Sequence, residues 1–382
     1  MSNETSRHLS ETSAKELSAE DVPVSWMQQE LRKVSIGNDR NICGVDRVKL
    51  TRARRVVVKV GSQVVSRSCD SRLALGRLGS LIEQIEVLVR SGREVILVSS
   101  GSISAGRQRI RREMILNSSP LELQGFNKSA PMPNDRDVSK RASAACGQSG
   151  VMALYDLLFG HMDLACSQLL VTRNDFLNPD FVDGIKQTVD HLLKMNVIPV
   201  FNENDAINYS SKDETIEELK ASGSFWDNDS LAMRLATHLG ADLLVLLTDV
   251  EGLYTGPPQL ETSELIDTYC PEIHDDLIKF GAKSSLGRGG MSSKCECAWM
   301  AAERGVPTVI LNGKGFHQSL VEVVSGENIG TLFDAEAARA VLQRHDHQRN
   351  GSSADTRASN SDEGSPRKNM SHSSFQDAVI VN

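Results

Sequence analysis

An α/β fold, with a mostly parallel central sheet and helices on both faces, is the architecture that this sequence predicts. Three observations carry that reading. Short apolar runs alternate with amphipathic stretches from Val56 onward, the first run is apolar as a strand buried on both faces would be, and the polar clusters fall just after the runs.

In chain order, Val56–Val60 reads as the first strand, Leu73–Val89 as a helix and Val95–Ser99 as the second strand. A helix over Lys140–Leu158, a strand at Cys166–Val171, a helix over Phe181–Met195 and a strand at Val197–Phe201 follow. The pattern continues with helix Ser230–Leu239, strand Leu243–Leu247, helix Met291–Arg304 and strand Thr308–Leu311. Such alternation argues a mostly parallel sheet with helices on both faces. Two stretches break the rhythm. Arg107 to Asp137, with Pro120, Pro131 and Pro133, is too long for an ordinary connection and reads as a lid or an insertion. Asn208 to Ser224 reads as a hairpin or a short helix.

Residues 1–50 are rich in Ser, Glu, Asn and Arg and are expected to form a largely disordered extension, with one helical patch at Trp26 to Val34. Residues 51–334 form the expected globular domain. Residues 335–382 are expected to hold a last helix, Ala335 to Arg344, and then a disordered tail containing Ser365-Pro366-Arg367-Lys368.

The 382 residues are 40% hydrophobic and 24% charged, as in globular proteins, and the formal charge of −8 disfavours unspecific binding of nucleic acid. Seven cysteines, scattered without a CxxC pair, read as reduced thiols, and Cys295 and Cys297 diverge on a helix, so no metal site is proposed. Met1 to Val22 is polar and acid-containing, and no apolar stretch is long enough to cross a bilayer. The address expected from these features is cytoplasmic.

Two lysines stand where a lysine is unwelcome. Lys59 interrupts Val56-Val57-Val58-Lys59-Val60 and is followed by Gly61 and Ser62. Lys294 falls in the first turn of the helix that opens after Gly287-Arg288-Gly289-Gly290, where the partial positive charge of the helix start repels a cation. A polyphosphate between them, cradled by glycine-turn amides, would explain both. Taken singly, each lysine also fits a structural ion pair. Asp227-Asn228-Asp229 before Ser230 reads first as helix capping, yet three cap-type residues exceed what one helix start needs. Asn202-Glu203-Asn204-Asp205 likewise reads as turn chemistry or as a binding loop. Both clusters lie where open α/β sheets bind ligands.

Taken in order, VVVKVGSQVV, VILVSSGSISAG, AACGQSGVMALYD, SQLLVTRNDF, VIPVFNENDAI, DNDSLA, LLVLLTDVEGLYT and GRGGMSSK…AAERGVPTVILNG resemble the amino-acid kinase family, and within it the glutamate 5-kinases. The resemblance covers about Val56 to Phe333. It implies a three-layer αβα sandwich, ATP and Mg²⁺, and transfer of a phosphoryl group to the γ-carboxylate of L-glutamate, at the head of proline biosynthesis. By the same resemblance Lys59, Lys294 and Asp229 would be catalytic. Ser100, Asn202, Asp205 and Asn228 would hold the amino acid. Lys59, Gly61, Ser62, Thr248, Asp249, Arg288, Gly289, Gly290, Met291, Ser292, Ser293 and Lys294 would hold the nucleotide. Proline as feedback inhibitor, a homo-oligomer and contact with a glutamate-5-semialdehyde dehydrogenase are further implications, and binding of nucleic acid or membrane is not.

A free side-chain carboxylate, with pKa about 4.3, is already a nucleophile near neutral pH, which explains why no histidine lies in these motifs. The same fold would also serve a kinase of aspartate or N-acetylglutamate, or a non-catalytic amino-acid sensor. Departures from the family pattern are Arg288, Trp226 before the acidic triplet, Pro257, the length of Asn208 to Ser224, and a tail in place of a small RNA-binding-like domain.

Overall fold

The computed structural model describes residues 47–117, 136–207, 226–258, 260, 262–278, 290–315 and 319–355, with side chains at 136–139 and 346–355 left aside. A 3-10 turn, Arg47–Arg52, leads into β1, Arg55–Val60, and the short α1, Ser62–Val65. Then come α2, Leu75–Arg90; β2, Glu94–Val98; α3, Ser102–Asn117; and α4, Arg136–Gly160. The next stretch holds β3, Ala165–Val171; α5, Pro179–Lys194; β4, Val197–Glu203; α6, Asn228–His238; and β5, Leu243–Thr248. The remainder comprises β6, Thr268–Tyr269; α7, Pro271–His274; α8, Met291–Glu303; β7, Thr308–Asn312; α9, Ser319–Val324; β8, Thr331–Phe333; and α10, Ala335–Asp355.

The eight strands form one sheet in the order β3-β4-β2-β1-β5-β7-β8-β6, and β7 with β8 is its antiparallel pair. Each strand and helix predicted from Val56 to Leu311, the Asn208 to Ser224 stretch aside, is present, with ends within a few residues of expectation. The chain leaves β1 toward β2 on one side and later returns to add β5 on the other, so strand order reverses at the carboxyl end of β1. That crevice is where an open α/β sheet offers a ligand site.

Side-chain alternation sorts the sheet into two cores. Val56, Val58 and Val60 join Leu243, Val245 and Leu247 on the face covered by α2, α4 and α9. Val57, Leu244 and Leu246 face the opposite core, with α6 and α8. Position 59 shares the parity of Val57, so its side chain emerges beneath α6 and α8. This is the three-layer αβα arrangement.

Four corrections to the sequence reading follow. The stretch read as an insertion from Arg107 begins as helix, because α3 runs on to Asn117; residues 118–135 lie outside the described part, as does Asn208 to Ser224. The strands β6 and β8, of two and three residues, are too short to show a period. Order reaches back before residue 51: Arg47 is buried and donates to the carbonyls of Asp267, Ile329 and Gly330. The last helix continues to Asp355 instead of ending at Arg344, while residues 356–382 and most of the extension lie outside the described part. No helix among the described residues is long and apolar enough to cross a membrane.

Helices α3 and α4 touch backbone to backbone through two glycines. A Cβ on Gly106 would lie 1.6 Å from Ser143 O, and one on Gly147 would lie 1.9 Å from Ser102 O. Gly150 of α4, in contrast, faces open space. Gly106→Ala should therefore destabilise the protein by roughly 2–3 kcal/mol through overpacking, whereas Gly150→Ala should stabilise it by up to about 1 kcal/mol through helix propensity. Urea unfolding of the two variants checks the pair, and equal effects would contradict the crossing.

Candidate active site

Lys59 reaches the cavity from the last turn of β1's apolar run, with both neighbouring strands in register beside it. Its Nζ lies 2.6 Å from Asp229 Oδ1, and Lys294 Nζ lies 2.9 Å from Asp229 Oδ2. One carboxylate thus bridges both ammonium groups. The side chains are 5%, 12% and 3% exposed for Lys59, Lys294 and Asp229, so little solvent screens the three charges. Burial pushes against ionisation of Asp229, but the two lysines outweigh it and bring its carboxyl down to about 2. Burial likewise opposes the charge of Lys294, and the neighbouring carboxylates, Asp229 foremost, hold its pKa above the ordinary lysine value. The counter-charge that the sequence reading assigned to a polyphosphate is therefore supplied in part by the protein itself. Asp229 alone contacts both cations, and the charges of Asp227 and Asp249 act on Lys294 from farther off.

The start of α6 fixes Asp229. Asp227 is its N-cap: Oδ1 accepts from the amides of Asp229, at 3.0 Å, and Ser230, at 2.8 Å, while Ser230 Oγ accepts from the Asp227 amide. The capping reading of this triplet was right and incomplete. Asp227 Oδ2 is buried without a partner among the described residues, and Asp227 also lines the cavity. Burial, and then the charge of Asp229, raise its pKa.

The cavity, about 270 Å³, opens at the strand-order reversal and is at the small end for ligand sites. Ser100, Asp205, Asn228, Thr248 and Asp249 line it as expected, together with Lys59, Gly61, Ser62 and Lys294. Gly101, at φ +107, turns the chain from β2 into α3 and leaves no room for a Cβ, which would meet Val65 at 2.7 Å. Asn228 Nδ2 donates to Ser99 O, Ser100 Oγ and Asn202 Oδ1, so it ties the start of α6 to the ends of β2 and β4. Beneath them, Ser99 Oγ and Tyr155 Oη are 2.8 Å apart in the core.

Several expected contacts are placed differently. Asn202 is buried, donates to Gln148 Oε1 at 2.8 Å, accepts from Asn228 Nδ2 at 3.0 Å and is not among the residues lining the cavity. Gly61 lines the cavity but commits its N–H to Leu247 O at 3.1 Å, and the first residues of α1, Ser62 and Gln63, line the cavity beside it. Met291, Ser292 and Ser293 precede Lys294 in the first turn of α8 and do not line the cavity; Ser292 Oγ donates to Glu296. Gly290 caps that helix, and Arg288 and Gly289 lie outside the described residues. Trp226 turns away, packed on Phe176 with Arg234 over its ring. Pro257 is exposed in a turn, its carbonyl accepting from Leu260.

Sequence reasoning passed over Glu203, Arg107 and Lys140, which also line the cavity, and Lys314, whose Nζ pairs with Asp249 at 3.3 Å. Glu203 sat in plain view inside the Asn202 to Asp205 cluster. The other three come from helices or a distant loop and carried no local signal.

Asp227→Asn keeps the cap acceptor and removes a buried negative charge beside Asp229. The folded pKa of Asp227 lies above its unfolded value, so its contribution to stability is complete below the ordinary carboxylate range and is lost as pH rises through the folded pKa. The variant should therefore melt higher than the parent at neutral pH, and the gap should close on acidification. Calorimetry across that range decides, and a variant that melts lower at neutral pH would contradict the assignment.

The amino acid kinase family profile matches residues 54–312. A delta-1-pyrroline-5-carboxylate synthase of Solanum lycopersicum is 51% identical over 284 residues, 74% of this chain and 38% of that protein, so the chain spans well under half of its plant relative. A glutamate 5-kinase of Symbiobacterium thermophilum is 37% identical over 76% of this chain and 99% of its own length. A glutamate 5-kinase of Pelobacter propionicus is 35% identical over 73% and 67% of the two chains. With the profile spanning β1 to β7 and a bacterial relative matched almost end to end, this chain belongs to the amino acid kinase family.

Proposed function

We propose that the protein transfers the terminal phosphoryl group of ATP to the γ-carboxylate of L-glutamate, giving γ-glutamyl phosphate and ADP. The observation that carries this reading is the bridging of Lys59 and Lys294 by Asp229 at the sheet's switch point. Two anions must meet in line, a carboxylate oxygen forming its bond to phosphorus as the bridging oxygen leaves with ADP. The protein's part is to place positive charge where negative charge gathers. Asp229 aims both ammonium groups at one point, and the net positive charge of the three-residue cluster favours the oxygens of the group in flight. No proton moves, because the acceptor is ionised beforehand. Ser100 and the loop ending at Asp205 lie beside this point, suited to hold the amino acid. Thr248 and Asp249 lie at the end of β5, suited to the nucleotide.

The residues fit a magnesium ion carried by the nucleotide. Asp227 keeps one buried carboxylate oxygen without a partner among the described residues at the cavity, an oxygen donor of the kind magnesium takes alongside phosphates. Such an ion would screen the phosphate charges. Feedback by proline, self-association and hand-over of the labile acyl phosphate to a glutamate-5-semialdehyde dehydrogenase belong to the same proposal, supported by likeness to the family. So does a cytoplasmic address, which suits the six free thiols among the described residues.

ADP release with ATP and glutamate, aspartate or N-acetylglutamate tests the reading. Glutamate should exceed the other two by at least ~100-fold in kcat/KM, and no glutamate-dependent ADP would leave only a sensor. Lys59→Met and Lys294→Met should each lower kcat by about 10²–10³ or more, with Asp229 still paired to the remaining lysine and the fold retained. Near-parental turnover in either folded variant would overturn the assigned roles.

A further inference from the structure

Away from the cavity, cations gather around Trp226 that the phosphoryl chemistry does not use. The guanidinium carbon of Arg234, in the middle of α6, lies 5.7 Å from the centre of the Trp226 ring. Trp226 packs on Phe176 at 5.4 Å, and Phe176 packs in turn on His238, in the last turn of α6, at 6.2 Å. Phe176 belongs to the 3-10 turn Asn174–Leu177, whose N-cap is Arg173. Arg304, the C-cap of α8, completes the group. Burial, and then the charges of Arg304 and Arg173, lower the pKa of Arg234; burial, and then Arg234 and Arg304, lower that of His238. None of these residues lines the cavity.

Three guanidinium groups without a carboxylate among them make a costly arrangement. Arg234 is half-buried, its Nε is covered without a hydrogen-bond partner, and it makes no ion pair among the described residues. The acids nearest in sequence are committed elsewhere: Asp175 Oδ2 accepts from the Thr172 amide at 2.6 Å, and Glu303 Oε1 from Trp299 Nε1 at 2.9 Å. Stacking on the indole offsets part of the cost of taking a guanidinium out of water, and the like charges around it add to that cost. What the group lacks is an anion. We infer that Arg234, flanked by Arg173, Arg304 and His238, forms a binding site for a small doubly charged oxyanion of the phosphate class, separate from the site at Asp229. The fork of an arginine meets two oxygens of such an ion at once, and two negative charges balance more of the group than one carboxylate does. Trp226, one of the departures from the family pattern, thereby has a role as the platform under Arg234. It immediately precedes Asp227, the cap that fixes Asp229, so an ion seated on Arg234 bears on the residue from which that cap hangs.

The test is binding of inorganic phosphate to the full chain by titration calorimetry, with sodium chloride of equal ionic strength as reference, just above neutral pH where the ion is mostly doubly charged. Phosphate can also enter between Lys59 and Lys294, so the titration is made on Lys59→Met as well as on the parent. Lys59→Met should still bind phosphate, and acetate at least ~10-fold more weakly. Adding Arg234→Gln should weaken phosphate binding by at least ~10-fold, the loss of a charged two-bond contact, and Arg234→Lys should restore part of it. Because the guanidinium is unpaired without its ion, Arg234→Gln alone should melt no lower than the parent in chloride, and the rise in melting temperature that phosphate gives the parent should shrink. This arm decides by itself if Lys59→Met does not fold. Phosphate binding that Arg234→Gln leaves unchanged would put the ion elsewhere and overturn the inference, as would no binding beyond that of chloride. Self-association of the parent that Arg234→Gln abolishes, seen by sedimentation, would mean that a second copy covers the cluster, and would overturn it too. None of these readings depends on which carboxylate the enzyme phosphorylates.

Discussion

Everything at the site depends on one carboxylate held between two ammonium groups. Taking a charge out of water costs several kcal/mol even after relaxation, and a cation in the middle of a buried strand bears that cost in full unless something compensates it. Asp229 compensates Lys59 and Lys294 together, at 2.6 and 2.9 Å, with Asp227 adding its charge from the neighbouring cap position. Two buried ammonium groups turned toward a cavity, held by one shared carboxylate, mark a candidate functional site.

The rest of the fold reads as the means of bringing three distant residues to that point. Lys59 arrives on the central strand, at the place where chain order reverses. Its parity sends it to the face covered by α6 and α8, and those helices deliver Asp229 and Lys294 from their first turns. The two helix starts are not equivalent electrostatically. A helix start favours the carboxylate of Asp229 and disfavours the ammonium of Lys294, so the acid is stabilised twice and the lysine depends on it. This asymmetry is why the cap at Asp227 matters beyond helix stability: it fixes the amide of Asp229 itself.

Much of this was legible in the sequence, for identifiable reasons. Apolar runs bounded by polar turns located β1, β2, β4, β5 and β7, and the strand-end rule pointed to Ser100, Asp205, Thr248 and Asp249, all of which line the cavity. A lysine inside a buried run was a local contradiction that only a tertiary partner could resolve. What stayed hidden was of two kinds. Short pairings such as β6 with β8 depend on contacts far along the chain and leave no period to read. Orientation was hidden too: Asn202 and Gly61 had the expected residue type in the expected loop, yet Asn202 donates its side-chain amide to Gln148 and Gly61 its backbone N–H to Leu247.

The two ends of the cavity are built by different physics, and that bears on how such a site diversifies. The phosphoryl end is assembled from β1, α6 and α8, elements that are buried among the largest apolar clusters and that tolerate little displacement. The rim end is assembled from α3 and α4, whose register is set by a pair of glycines and whose cations stand toward water. A change of residue at the rim leaves the bridge at Asp229 undisturbed, whereas a change at the bridge strips a buried charge of its partner, a division that follows from where burial makes a charge expensive and where it leaves a charge exchangeable.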